Sequence, residues 1–310
     1  MSFKKIIILT MLTIVIYSLC AIDSGAGTKG YQILKLPVSP ELAGQANTGE
    51  LLQSSPLNLL HHPAALDWQR GRSVAFAHTS WLVDTNMYNI GWRNVLFNQS
   101  FGLGLTYFDY GKLDKRTENG TLIGEYNPMD MRAAANYVRQ ISPSIYAGAN
   151  LNFIYQKIDT SSSAAISTDL GLVYHTPLRF STDLALKNIG TSSKLDQEKT
   201  EMPFVMEFGL SDIDLIRFTF SSNDKRTEFS IPLNFKLVYM DDHDHLLPAL
   251  GTEIPLYNTL FIRAGYKFNY NDENLSSGLG IHYKTMKIDY AFLNNKNLDD
   301  VHIIGIGWEF

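Results

Sequence analysis

The chain has a single cysteine, Cys20, in 310 residues, so no disulfide can form within it. Hydrogen-bond ladders and packing must hold the fold instead. Basic charge is scarce too: 26 Lys and Arg stand against 31 Asp and Glu, for a net charge of −5. No basic patch offers itself to a phosphate backbone, so nucleic acid is not an expected partner. Long apolar runs are also missing. The one candidate, Ile6 to about Val15, is roughly half the length that a membrane-spanning helix needs. It follows Lys4 and Lys5 and precedes small residues, the order of a secretory signal peptide, which is assigned to 1–21. Leu19 is too bulky for ordinary lipoprotein cleavage before Cys20. Without the signal, 24 basic side chains face 31 acidic ones, a net −7, and no thiol remains.

Catalytic constellations are absent as well. Ser161-Ser162-Ser163 has no His or acid placed around it in a recognisable nucleophile context. Gly25 to Gly30 spells G-x-G-x-x-G, but a signal peptide precedes it where a dinucleotide site needs a strand. Neither an enzyme nor a cofactor is expected.

Aromatic side chains are plentiful, at 12% with 16 Tyr and 17 Phe, and stiff rings suit a pleated surface. From Arg72 to the end the apolar period is two. In 99–108, Phe101, Leu103, Leu105 and Tyr107 point one way, and Gly102, Gly104 and Thr106 the other. In 144–156, Leu151, Phe153 and Tyr155 alternate with Asn150, Asn152 and Gln156. Such alternation fits a soluble sandwich with its apolar face inward, or a membrane barrel with that face toward lipid. Three features together favour the barrel. The strands run to about 9–12 residues, the length a tilted strand needs to cross a bilayer, where soluble strands stop at about 5–6. Short connections (95–98, 141–144, 175–178, 284–286) alternate with longer polar ones (110–129, 157–164, 188–202, 270–275, 294–300). The signal peptide routes the chain out of the cytoplasm.

Fifteen candidate strands can be marked, but single-chain bacterial barrels close with an even number. Merging 203–211 and 214–222 into one bent strand gives fourteen. The expected fold is therefore an all-β, antiparallel, fourteen-stranded outer-membrane barrel over 72–310. Residues 22–71 differ. Pro37, Pro40, Pro56 and Pro63 interrupt them, and only a weak helical pattern appears around Glu41–Leu52. They read as a short mixed segment at or inside the periplasmic mouth.

On the polar face of the strands, Asp169, Arg179, Asp183, Lys187, Arg263, Lys267, Lys284, Lys287 and Asp289 are expected to line the lumen. Asp169 with the Arg179, Asp183 and Lys187 row would form a cross-strand ion network. Metal chemistry has weak candidates only. Asp241, His243 and His245, with Asp242 and Asp244, crowd one loop, where an acidic solvated surface is the plainer reading. His61 and His62 are adjacent with no third ligand spaced for them, so they read as a turn fixed by Pro63.

Residues 30–66 resemble the opening of the PorV/PorQ family of outer-membrane barrels, which is related in architecture to FadL-type channels. Leu34, Leu36, Pro37, Val38, Ala43, Gly44, Pro63, Ala64, Ala65 and Leu66 fill the positions of that family's opening phrase and N-P-A-x-L box. "AFAHTSW" (75–81), "GLGLTYFDYGKL" (102–113), "KNIG" (187–190) and "FIRAGYKF" (261–268) follow in the family's order. His61 and His62 depart from it, standing where the family box begins W-N, and Ala65 replaces a glycine. The resemblance implies a binding or carrier component of type IX-like protein export, with secreted proteins or secretion subunits as partners. A FadL-like channel for hydrophobic small molecules is the alternative, and a soluble ligand-binding β-protein a third.

The chain ends on "VHIIGIGWEF", with Ile304, Ile306, Trp308 and Phe310 on one face. A terminal aromatic on an alternating apolar row resembles the signal read by barrel-assembly machinery, and it would set rings at the lipid interface. The last strand is expected to pair with the first and leave no edge. Deleting Phe310 should lower the fraction of heat-modifiable barrel on semi-native gels, while barrels that do assemble keep their interior properties.

Overall fold

The computed structural model describes residues 28–310 except Gln53, Leu66–Arg70, Asn98, Asp196, Gln197, Asn223, Asp224, Asp244, Asn258 and Asn271. The signal peptide, Cys20, Leu66 and Asp244 lie outside the described residues. Eighteen strands follow in chain order: β1 (Ser73–Ser80), β2 (Asn86–Leu96), β3 (Gln99–Asp109), β4 (Leu113–Arg116), β5 (Leu122–Tyr126), β6 (Met129–Ser142), β7 (Ile145–Ile158), β8 (Ser161–His175), β9 (Ser181–Ser192), β10 (Lys194–Leu195), β11 (Glu198–Lys199), β12 (Val205–Ser222), β13 (Lys225–Met240), β14 (Leu247–Leu256), β15 (Leu260–Lys267), β16 (Glu273–Tyr283), β17 (Met286–Asn295) and β18 (Val301–Glu309). Fourteen of them close an antiparallel barrel, each beside its sequence neighbour, while the β4–β5 and β10–β11 hairpins stand apart in connections. Closure runs from Ser73↔Glu309 to Ser80↔His302 between β1 and β18.

The barrel is inverted relative to a soluble protein. Leu103, Leu151, Ile166, Leu279 and Ile304 are each more than half exposed on the outside. Arg93, Asp169, Asp183, Lys236 and Arg263 are buried inside, none more than 3% exposed. Alternation at period two does this directly, because every second side chain must point into the barrel. Among the described residues no helix is long and apolar enough to cross a membrane.

Residues 203–222 do form one bent strand. β12 runs unbroken from Val205 to Ser222 against β13, with register shifts between Leu210 and Ile213 and between Asp214 and Ile216. Asp212 takes φ 65 at the first bend, and its N–H donates to Asn234 Oδ1 at 3.0 Å. Elsewhere the connections differ from expectation. No long loop joins β7 to β8: Ile158↔Ser161 and Lys157↔Ser162 pair around a two-residue turn with Asp159 at φ 50. Serines at 161–163 extend the ladder because small hydroxyl side chains fit either face. The helical pattern around 41–52 yields one turn, Pro40–Ala43, before Ala46 and Asn47 adopt φ 57 and 58 and reverse the chain.

One rim carries the short turns and both barrel termini, and is termed the turn rim; the opposite rim carries the longer connections and is termed the loop rim. The described residues of 28–65 form a segment inside the barrel. They enter at the loop rim, where Gly30 N–H donates to Glu201 O at 2.9 Å, and cross the lumen. Near the turn rim Arg93 Nη1 donates to Ser54 O at 3.4 Å. The segment expected at or inside the periplasmic mouth is thus a plug that runs most of the barrel's height.

Inward glycines make room for the plug backbone. A Cβ on Gly148 would lie 2.1 Å from Pro63 O, one on Gly265 2.4 Å from Ala46 N, and one on Gly91 2.8 Å from Leu57 N. Any side chain there must push the plug away, at about 1–3 kcal/mol by the usual cost of overpacking. Gly148→Val should leave a heat-modifiable barrel but open residues 55–65 to protease; a plug as resistant as wild type would contradict this placement.

Candidate functional site

The polar inner wall grips the plug by its carbonyls. Asn150 Nδ2 donates to Leu59 O at 2.8 Å, and Arg132 Nη1 to Leu60 O at 3.0 Å. Lys187 Nζ donates to His61 O at 3.1 Å, and Asn136 Nδ2 to Pro63 O at 2.8 Å. Those donors come from β7, β6 and β9, and Asp169 of β8 ties Arg132 and Asn150 together. Its carboxylate accepts from Arg132 at 3.2 Å, Asn150 at 3.1 Å, Asn152 at 2.9 Å and the Asn188 N–H at 2.8 Å. Buried polar groups of this kind are costly unless fully partnered, so each clamp donor needs its plug carbonyl.

This network differs from the row expected from the sequence. Arg179, at φ 63, sits exposed in the turn before β9, and Lys284, at φ 55, sits exposed in the turn after β16. Neither reaches the lumen, because each strand ends before them and a turn residue escapes the alternation. Asp169 pairs with Arg132 instead. Asp183, Lys187, Arg263, Lys267, Lys287 and Asp289 do face inward. Asp183 meets the plug, its Oδ1 3.5 Å from His62 Nε2, and Lys187 pairs with Glu207 of β12 at 2.6 Å.

The opening-phrase residues are plug residues. Val38 and Ala64 are buried in one core, with Leu36 packed against it, and Ala43 is buried in another. Pro63 fills the space beside Gly148 and Gly171, and Gly44 lies against Gly278. Pro37 lines the cavity described below. The two histidines are hydrogen-bonded within the plug. Val38 N–H donates to His61 Nε2 at 3.2 Å, and Ala64 N–H to His62 Nδ1 at 3.2 Å. Each ring therefore carries its proton on the other nitrogen and is neutral. Burial, reinforced by the Lys187 charge, holds His61 well below its ordinary value and lowers His62 to about 3.

On the opposite wall, toward the turn rim, Arg263 bridges Glu253 and Asp289, each at 2.6 Å. Lys287 reaches Glu309 at 2.6 Å and hydrogen-bonds Ser54 of the plug. Burial, with the Asp289 charge beside it, pushes Glu41 of the plug up to about 8.

The acidic loop after β13 holds the plug's entry rather than gathering as metal ligands. Asp241 Oδ2 lies 3.1 Å from Lys29 Nζ, and its Oδ1 accepts from Phe204 N–H at 2.9 Å. Asp242 pairs with Lys35 and lies 3.0 Å from His243 Nδ1, while His245 Nε2 lies 3.2 Å from Asn269 O. The donor atoms are spent on lysines and backbone, so the weak cation reading of Asp241, His243 and His245 is not supported by their geometry.

Above the plug, toward the loop rim, lies a cavity of about 440 Å³. Leu34, Leu36, Leu60, Trp81, Val238 and Met240 supply apolar wall. Its lysines are all matched by acids: Lys35 by Asp242, Lys187 by Glu207, Lys236 by Glu50 and Glu207, and Lys267 by Glu273 at 2.5 Å. Such a chamber has the size of a small-molecule site and, among the described residues, no free cation to attract an anion. Beside it the wall has a seam. β13 pairs with β14 only from Asn234↔Gly251 to Val238↔Leu247. Toward the turn rim, the described contact between them is Thr252 Oγ1 donating to Pro232 O at 2.7 Å. Pro232 and Pro255 each lack the N–H that a ladder needs. Plug residues back the seam: Gln45 Oε1 accepts from Asn234 Nδ2 at 3.1 Å, and Thr48 lies against Gly251.

The sequence pattern pointed to the inner face but not to its partners. Arg132, Asn136 and Asn150 share the lumen parity, yet nothing in their spacing reveals that they bind plug carbonyls.

No protein-family model matches the sequence, and no curated protein resembles it. Solved structures do resemble the fold. The TodX deltaS2S3 mutant monoaromatic hydrocarbon channel superposes with a TM-score of 0.59 at 12% identity, over 91% of this chain and 99% of that one. The CymD monoaromatic hydrocarbon channel gives 0.55 at 12% identity, over 88% and 97%. A Pseudomonas aeruginosa FadL homologue gives 0.51 at 11% identity, over 89% and 99%. The shared property is the barrel fold itself. None of these comparisons points to the PorV/PorQ family in particular.

The buried neutral histidines fix a pH dependence for the docked plug. A released plug takes up protons once pH falls below about 6.5, whereas docked His62 does so only near 3. Docked Glu41, raised to about 8, keeps a proton that a released plug gives up and so offsets one histidine. Docking is thus strongest near pH 6.5 and weakens on acidification by up to about tenfold per pH unit in net. Protease access to 55–65 should rise between pH 7 and 4.5 and rise less in His62→Gln; a flat profile in wild type would contradict the assignment.

Proposed function

We propose that this chain is an exported outer-membrane channel for small, uncharged, apolar molecules. The observation that carries the reading is the cavity over the plug, where Leu34, Leu36, Leu60, Trp81, Val238 and Met240 form an apolar patch and the described lysines are paired with acids. A carboxylate ligand would have to displace an existing ion pair, whereas a hydrocarbon displaces only water. Fold likeness to hydrocarbon channels agrees with this choice, though at 11–12% identity it does not carry a substrate. The outward apolar belt would face lipid, and the terminal row Ile304, Ile306, Trp308 and Phe310 would present the client signal to barrel-assembly machinery. Ligand would enter at the loop rim and leave through the β13–β14 seam once residues 45–50 shift. A role in type IX-like secretion has no feature of the lumen to recommend it over this.

Trp81 lines the cavity and reports on it. In detergent-purified protein, bromobenzene should quench its fluorescence saturably, toluene should compete, and benzoate should not. Trp81→Phe should remove the saturable component, and Val238→Asp should weaken it by about tenfold or more, since a buried carboxylate repels apolar ligand (about 1.4 kcal/mol). Quenching that rises linearly without saturation, or equal competition by benzoate, would overturn the reading.

A further inference from the structure

A second site lies below the cavity, between the plug and the wall. Glu41 sits on the Pro40–Ala43 turn of the plug, His282 on β16 and Asp289 on β17. Each offers one ligand atom within 4.8 Å of the others. His282 Nε2 lies 3.1 Å from Asp289 Oδ1 and 3.2 Å from Oδ2. Donors bound to one ion at about 2.0–2.2 Å stand about 3–3.5 Å apart, so this edge already has the spacing of a coordination shell.

Glu41 gives the independent sign. It is 3% exposed, and its Oε2 has no hydrogen-bond partner in the structure. The charges nearby do not answer it. Arg263 serves both Glu253 and Asp289, while Lys287 is drawn to Glu309 and Ser54. Glu41, Glu253 and Asp289 gather around the one guanidinium of Arg263, more acid than it can neutralise once all three are ionised, and a divalent cation would supply the balance. A crevice of about 20 Å³ borders Glu41 and Asp289, room for a water molecule to complete the shell.

We propose that Glu41, His282 and Asp289 bind a divalent first-row metal ion that staples the plug to the barrel wall. One imidazole with two carboxylates suits zinc and its neighbours better than calcium or magnesium, which favour oxygen alone. The ion joins Glu41 of the plug to β16 and β17, across the lumen from the carbonyl clamp at residues 59–63. It fixes the plug at a second point, whatever molecule the cavity takes.

The test uses full-length protein purified in detergent, stripped with EDTA and titrated with ZnCl2 by calorimetry. One ion per chain should bind, Co2+ should give visible d–d absorption, and Zn2+ should slow proteolysis of residues 28–65. Glu41→Gln and His282→Gln should each weaken Zn2+ at least about tenfold and abolish the protease protection. His282 lies on the wall, so its variant serves if Glu41→Gln does not assemble. His243→Gln/His245→Gln should bind as wild type. No binding, or binding lost in the loop double variant and kept in Glu41→Gln and His282→Gln, overturns the proposal.

Discussion

Burying polar groups inside a closed barrel imposes the constraint on which the rest of this structure depends. Period-two alternation sends one face outward, and that face is apolar, so the opposite face must be polar and must be satisfied within the lumen. Water would do so in an open pore. Here the plug does much of it, because its irregular backbone leaves carbonyls unpaired that a helix would have consumed. Leu59, Leu60, His61 and Pro63 each give a carbonyl to a wall side chain, and those four donors are thereby satisfied. The broken, proline-rich character of the segment is what makes it a good partner for the wall.

Close approach of backbone to wall then requires glycine at specific inward positions, and these are where the strands have it. Together the clamp and the glycine contacts hold the plug low enough to leave a chamber above it. Buried ion pairs in that chamber are weak evidence for stability, since desolvation offsets much of their attraction. Their consequence for function is clearer. A chamber whose described lysines are matched by acids offers no free cation to an anionic solute, and its apolar patch becomes the feature that discriminates.

Much of the barrel was legible because alternation is a local property. Most of the strands and the inward set of Asp183, Lys187, Arg263 and Asp289 follow from parity along single segments. The merged β12 and the closure of β18 on β1 follow from the need for an even number of strands and no free edge. Arg179 and Lys284 misled because parity was carried into a turn, where a positive φ rotates the side chain off the sheet. Serines 161–163 looked like loop because polar composition does not separate a loop from the end of a ladder. The plug was least legible. Its path depends on contacts between residues such as Leu60 and Arg132, 72 positions apart, and no local pattern encodes such a pairing. His61 and His62 stood out in the sequence, but only the structure shows that their rings cap nearby N–H groups while the His61 carbonyl meets Lys187.

Hydrogen–deuterium exchange on the purified barrel, read peptide by peptide across residues 28–65, tests the central claim most directly. If the plug is a working part of the wall's polar network, amides such as those of Val38, Ala46, Asn58 and Ala64 should exchange on the slow timescale of the barrel strands. They should also slow further when toluene fills the chamber. Complete exchange of 28–65 within seconds, beside protected strands, would show a lumen satisfied by water and would contradict the account.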